Sequence, residues 1–376
     1  MSANVVMLLS NGLRSDPRVE KEAAALANSG RRVTVIAWDR EGGLPEREEK
    51  YGFVIERLGP RAPYGGGLRN IRSFRDFWDR AARRAVALQP DVLHCHDLDT
   101  ARAGMRAKEV TGAALVMDFH EVYGESAMVP QSGLVGVVAR RLVSVLEKRA
   151  IARSDLVVVA PPGSLAHFQQ QGAQRVIIVE NAPDHRFLTP CARQRDQGDP
   201  LVVGFFGQKR YVEPLAALIA VVARDPGLRV LLAGGGPASA RVAELAAGSD
   251  RAEDRGRYSY GDLPDLYAEC DVVYSVYPPD LGNVRMSLPN KVLEGMSCGL
   301  PVIVAAGTWL ADFVTSEGVG LAVPACDEDA LREVLVRLKD DPGLATQMGR
   351  RGREVIEDRL NWQLASQRLL DAYEEL

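Results

Sequence analysis

The chain has 376 residues, 46% hydrophobic and 26% charged, with a net charge of −4; this suits about two soluble globular domains and excludes nucleic-acid binding by bulk electrostatics. Its five cysteines (Cys95, Cys191, Cys270, Cys298, Cys326) lack CxxC spacing, which argues against a disulfide framework and a structural zinc site and for a reducing cytoplasm. Met1 leads almost at once into VVMLLS, leaving no room for a secretory signal, and no run of about 18 apolar residues exists to span a bilayer.

Strand-like runs appear at VVMLLS (5–10), VTVIAW (33–38), DVLHCH (91–96), LVMDFH (115–120), DLVVVA (155–160) and VIIVEN (176–181). Amphipathic stretches such as RVEKEAAALANSG (18–30) separate most of them, the rhythm of βαβ units in a parallel, doubly wound sheet. The polar, proline-bearing segment HRFLTPCARQRDQGDP (185–200) predicts a linker between a first domain, 1–184, and a second, 201–360. A second series follows: LVVGFFG (201–207), LRVLLAGGG (228–236), RYSYG (257–261), DVVYSVY (271–277), LPVIVAA (300–306) and GLAVP (320–324). A helix at 361–376 closes the chain, with Trp362, Leu369, Leu370 and Tyr373 as its packing residues. Two Rossmann-like domains are expected, with a ligand in their cleft at the carboxyl edges of the strands.

Within this frame, SLPNKVLEGMSCGLPVIVAA (287–306) reads as helix, glycine, strand. Ser287, Leu288, Pro289, Asn290 and Lys291 open the helix, and Glu294 lies one turn in, near Asn290 and Lys291. The free amides and positive dipole of a helix N-terminus make an anion site there; the plainer reading is a capped helix with one Lys–Glu pair. The GGG at 234–236 allows a nucleotide to approach the backbone closely, but is incomplete as a dinucleotide fingerprint. His94 and His96 look like a metal pair, yet Cys95 between them points the other way, so three ligands do not converge easily. Asp97-Leu98-Asp99 is formally a DxD triplet, a pattern common by chance; no metal is expected.

Two basic segments bear on partners. Residues 61–84 carry seven arginines (Arg61, Arg69, Arg72, Arg75, Arg80, Arg83, Arg84) with Tyr64, Phe74, Phe77 and Trp78 interleaved, and VVARRLVSVLEKRAIAR (137–153) is a second basic amphipathic helix. Both suit peripheral contact with anionic lipid at the inner membrane face, or a phosphate-linked lipid acceptor. The plainer reading is solvated helices covering a sheet.

The order of elements, joined to SDPRVEKEAAALANSGRRVTVIA (15–37), MDFHE (117–121), LEKRAIARSDLVVVAPPGS (146–164), VENAPD (179–184), LLAGGGP (231–237), PNKVLEGMSCGLPVIVA (289–305) and NWQLASQRLLDAYEEL (361–376), resembles the retaining GT-B glycosyltransferases, in particular family GT4. The resemblance covers nearly the whole chain. It implies two Rossmann-like domains facing across a cleft, a C-terminal helix crossing back toward the first domain, and transfer of a sugar from a UDP-, GDP- or similar nucleotide-sugar to a glycan or lipid-linked acceptor in polysaccharide or glycolipid assembly. No cofactor or metal is implied. Glu294 matches the second glutamate of the family's E-x7-E motif, which grips the donor ribose; the first falls at Met286, a departure that leaves Ser287 to Lys291 to meet sugar and phosphate. His120 matches the family's active-site histidine. The family's basic pair after Gly207 falls on Gln208 and Glu213, so Arg210, with Lys209 beside it, is the expected cation for the diphosphate. The resemblance also implies Gly12, Gly234, Gly235 and Tyr260 on the donor side and Arg14, Arg18, His96 and Glu121 on the acceptor side. A nucleotide-sugar epimerase of the same fold and an inactive nucleotide-sugar-binding scaffold subunit are the alternatives.

Overall fold

A computed structural model describes residues 3–14, 16–63, 70–126, 129, 132–184, 186–190, 193, 195–196 and 198–376. The chain divides into two compact units, Met1–Asn181 with Ala365–Leu376, and Ala182–Leu364. Cys191, Tyr64 and Arg69, singled out above, lie outside the described residues, as does part of the 185–200 segment.

The first unit contains strands β1 (Asn4–Leu9), β2 (Arg32–Trp38), β3 (Arg47–Lys50), β4 (Phe53–Leu58), β5 (Val92–His96), β6 (Ala114–Phe119), β7 (Leu156–Val159) and β8 (Val176–Ile178). They form one sheet in the order β3-β4-β2-β1-β5-β6-β7-β8, with every neighbouring pair parallel except β3 with β4. Its helices are α1 (Pro17–Asn28), α2 (Ile71–Ala87), α3 (Ala101–Thr111), α4 (Gly133–Arg153) and α5 (Leu165–Gln170). Asp16 opens α1 by accepting from the Val19 amide, and Pro17 supplies a preset φ at the first helical position. β1, β5 and β7 are buried along their whole length, which is why they read as unbroken apolar runs rather than alternating ones.

The second unit contains β9 (Leu201–Phe206), β10 (Leu228–Ala233), β11 (Ala252–Asp254), β12 (Val272–Ser275), β13 (Val302–Ala305) and β14 (Gly320–Val323), all parallel in the order β11-β10-β9-β12-β13-β14. Its helices are α6 (Glu213–Arg224), α7 (Ser239–Ala247), α8 (Leu263–Ala268), α9 (Gly282–Met286), α10 (Asn290–Ser297), α11 (Trp309–Glu317), α12 (Glu328–Asp340) and α13 (Pro342–Asp358); α14 (Trp362–Glu374) ends the chain. The two apolar clusters of this unit lie on opposite faces of the sheet, since alternate residues such as Val202 and Val203 fall in different ones.

Both parallel sheets expected from the sequence are therefore present. Two local expectations are overturned. RYSYG is not a strand: Ser259 and Asp262 form a reciprocal capping box that winds 260–262 into a short turn leading to α8, and the edge strand is the preceding Ala252–Asp254. The β3–β4 hairpin was not anticipated, because REEK is wholly charged and shows no alternation; it is an edge strand, joined to β4 by Tyr51 and Gly52, both at positive φ. The helix expected from Ser287 starts instead at Asn290, since Ser287 and Pro289 are extended and break α9 from α10. Gly299, at φ 74°, ends that unit as expected.

Candidate functional site

In the second unit, three loops meet at the carboxyl ends of β9 and β10. Gly207 leaves β9 at φ 134°, its amide donating to Ala233 O at 2.9 Å. A Cβ on Gly234 would lie 1.8 Å from Gly207 O, and one on Gly236 2.5 Å from Lys209 O. The Lys209 amide also donates to Gly235 O at 2.7 Å. Gly234 and Gly236 are thus required for packing loop against loop.

Lys209 and Arg210 then part company. The Lys209 ammonium is fully buried and donates to Asp254 Oδ1 at 2.5 Å, tying this loop to β11, a placement that does not suit the expected contact with a diphosphate. Arg210 is exposed, its Nε donating to the Gln208 side chain at 3.0 Å. Arg257, which the sequence reading did not single out, is also exposed, with its guanidinium carbon 3.4 Å from where a Gly235 Cβ would stand.

Beneath these cations lies α10. The Tyr267 hydroxyl donates to Glu294 Oε2 at 2.8 Å, fixing the carboxylate while most of the glutamate is buried. Lys291 points at Tyr277, donating to its hydroxyl at 2.6 Å, with Nζ 3.3 Å from the centroid of the Phe205 ring. Burial holds the Lys291 ammonium well below the usual lysine range although Glu294 pulls the other way. Burial, then Glu294, pushes up the Tyr258 phenol. It pushes the Tyr260 phenol up to about 12 in the same order of causes. Tyr260 is half exposed and stacks on Phe187 at 5.1 Å and 16°. Leu288 packs on the core and Ser287 Oγ donates to Val284 O at 3.1 Å; Pro289 caps α10 and Asn290 is exposed at its first turn. Sequence reasoning missed Tyr267, Tyr277 and Phe205, each 14 or more residues from its α10 partner.

In the first unit, the β5–β6 register sets His96 opposite Asp118, and a network grows from that pair. Asp118 Oδ2 lies 3.0 Å from His96 Nδ1, 3.0 Å from His120 Nε2 and 3.1 Å from the Arg18 Nε donor, while Arg18 NH2 donates to Oδ1 at 2.6 Å. Arg18 NH2 also sits 3.0 Å from Glu22 Oε1, and NH1 donates to Val179 O at 2.5 Å. His120 Nδ1 faces Asp97 Oδ2 at 3.2 Å, so both ring nitrogens meet carboxylates. Burial opposes the imidazolium, but Asp97 and Asp118 outweigh it and raise the His120 pKa to about 10. Burial and the neighbouring His94 push His96 down to about 3, and burial lifts Glu22 to about 7. Arg18 and His96 are buried; Glu121 is half-buried and Arg14 exposed. Gly12 is buried, its carbonyl accepting from Arg57 Nε at 2.8 Å, and a Cβ there would lie 2.8 Å from Leu44 Cδ1.

His94 and His96 do converge with other ligand types, contrary to expectation. One atom each from Glu22, His94, His96 and Asp118 lies within 4.8 Å of the rest, because Glu22 comes from α1 and Asp118 from β6 rather than from the intervening Cys95. Arg18 already places its guanidinium on both carboxylates, so the positive charge this cluster accommodates is the arginine's. Asp97 of the DxD triplet, at φ 62°, accepts from the His120 amide at 3.1 Å.

Comparison with known proteins agrees with this architecture. The family described as "Glycosyl transferase 4-like domain" matches residues 15–182, and "Glycosyl transferases group 1" matches residues 200–341. A D-inositol 3-phosphate glycosyltransferase of Kribbella flavida is 27% identical over 384 aligned positions, covering 93% of this chain and 87% of its own. A GDP-mannose-dependent monoacylated alpha-(1-6)-phosphatidylinositol monomannoside mannosyltransferase of Corynebacterium glutamicum is 30% identical over 157 residues, 41% of each chain. The solved sucrose-phosphate synthase of Thermosynechococcus elongatus superposes with a TM-score of 0.82 at 20% identity, covering 99% of this chain and 98% of its own. Two Rossmann-like units with parallel sheets make this a GT-B protein. The chain belongs to the GT4-like family of glycosyltransferases.

Proposed function

We propose that this glycosyltransferase is retaining and metal-independent, moving a hexose from a nucleoside-diphosphate sugar to the hydroxyl of a glycan or lipid-linked acceptor in surface polysaccharide or glycolipid assembly at the cytoplasmic face of a membrane. The observation that carries the reading is the grouping of Glu294, held by Tyr267, with exposed Arg210 at the carboxyl edge of the second sheet. A fixed carboxylate accepts two hydrogen bonds from the vicinal hydroxyls of a ribose. Arg210 offers a permanently charged fork to the leaving diphosphate, where one such contact in the transition state contributes about 3 to 4 kcal/mol. Arg257 is a second cation for the same group, in place of Lys209. The departing phosphate oxygen takes the acceptor proton, so no separate base is assigned. For His120 to meet a sugar hydroxyl, one of its two carboxylate contacts opens; Asp97 is the one with solvent access, since Asp118 is fully buried. The relatives' names, with GDP-mannose on one side and D-inositol 3-phosphate or a phosphatidylinositol monomannoside on the other, support a donor and acceptor of these classes.

The test is a thermal-shift panel of UDP, GDP and ADP with their sugars, followed by product analysis. A cognate donor at about 100 times its Kd stabilises by roughly 2.7 kcal/mol. Transfer with retained anomeric configuration, undiminished by EDTA and abolished in Glu294→Ala, is expected. Conversion of the donor without an acceptor would favour an epimerase instead, and inversion or a strict cation requirement would overturn the mechanism.

A further inference from the structure

Helix α4 carries the most concentrated apolar exposure among the described residues. Of thirteen large hydrophobic side chains that are exposed, six lie on its first four turns: Leu134, Val135, Val137, Val138, Leu142 and Val145, with Leu134 at 82% and Leu142 at 67%. Of the others, Phe187 and Tyr260 form one stacked pair and none adds to this helix. Leu134, Val138, Leu142 and Val145 follow the spacing of one helix face. The opposite face, with Gly136, Glu147, Ala150 and Ile151, is buried, and Glu147 Oε1 meets His167 Nε2 at 2.7 Å.

Charge is sorted in the same way. The one acidic residue of α4 is this inward Glu147, whereas Arg141, Lys148 and Arg149 are exposed, form no ion pair among the described residues, and continue the apolar face toward the helix end. Residues 134, 141 and 148 are seven apart, two turns each, so they stand on one side. At 21 residues the helix is long enough to lie across a wide contact, roughly 30 Å, yet no helix among the described residues is long and apolar enough to cross a membrane. An exposed leucine and valine face rimmed only by cations is the pattern of a helix lying in the headgroup layer.

The other basic segment differs. Its Phe77 stacks on Trp38 at 4.8 Å, Phe74 meets the same ring edge-on at 4.9 Å, and Arg80 and Arg84 pair with Asp76 and Glu56. Phe74 and Phe77 are thus engaged within the fold and two of its arginines are neutralised, so this segment offers a bilayer less than α4 does.

We propose that the exposed face of α4 docks on an anionic lipid bilayer, with Leu134, Val138, Leu142 and Val145 among the acyl chains and Arg141, Lys148 and Arg149 at the headgroup phosphates. The test is flotation of the full chain with vesicles of phosphatidylcholine plus phosphatidylglycerol, against phosphatidylcholine alone. Binding to the anionic vesicles that weakens as salt rises is expected. Neutralising the three cations to Gln should weaken it about fivefold per residue. Leu134→Ser, Val138→Ser and Leu142→Ser together should weaken it at least about tenfold per side chain inserted. These are surface changes, so nucleotide thermal shifts stay as in the unaltered chain. No flotation with anionic vesicles, or flotation indifferent to both sets, would overturn the proposal. So would a dimer in vesicle-free solution that the serine set converts to monomer, since a second copy would then cover the face.

Discussion

Arg18 in the first unit and Lys291 in the second are both buried cations, but their surroundings differ in kind. Arg18 has two carboxylates and a carbonyl around its guanidinium. Lys291 forms no ion pair among the described residues and leans instead on a tyrosine hydroxyl and an aromatic face. The first arrangement is internally neutralised, so its charge belongs to the fold. In the second, burial disfavours the ammonium and no carboxylate is paired with it among the described residues; on the function proposed above, the missing anion is the donor diphosphate. The contrast recurs between adjacent residues, since Lys209 is buried against Asp254 while Arg210 is exposed.

This comparison can be broken by mutation. Arg18→Ala leaves Glu22 and Asp118 buried without their cation and should cost about 3 to 5 kcal/mol in urea unfolding. Lys209→Ala should likewise cost about 3 kcal/mol or more by stranding Asp254, with donor affinity of the surviving folded protein little changed. Arg210→Ala should do the reverse, lowering kcat/KM roughly 150- to 900-fold with stability within about 0.5 kcal/mol of the parent. Lys291→Met should keep stability within about 1.5 kcal/mol while weakening nucleotide-diphosphate binding in calorimetry. If Lys291→Met unfolds the chain as readily as Arg18→Ala, the two cations are alike and the distinction fails.

A further effect is expected on pH dependence. His120 is raised from 6.5 to about 10 in the folded chain by Asp97 and Asp118, against the cost of burial. Its contribution to stability is therefore fully present below about pH 6.5 and lost as pH rises toward 10. Denaturant midpoints of the parent should fall across that window, and His120→Gln should flatten the fall. Asp118, held well below the usual carboxylate range by Arg18 and His120 despite burial, acts at the other end: its contribution is lost only on strong acidification. A parent whose midpoint is level from pH 6.5 to 10 would show that His120 is not held between two carboxylates in solution.

The amino-acid sequence alone carried the two parallel sheets, because fully buried strands are local apolar runs and the helices between them keep their own period. It also carried the helix that bears Glu294, since Asn290, Lys291, Glu294 and the closing Gly299 lie within three turns of one another. The charged edge strand Arg47–Lys50 stayed hidden because nothing apolar marks it. What only tertiary structure decided is which charged groups are spent inside the fold. Arg18 meets Asp118 across 100 positions of chain and Lys209 meets Asp254 across 45. Desolvation determines whether such a cation needs a protein partner, and it depends on everything packed around the group rather than on its neighbours in sequence.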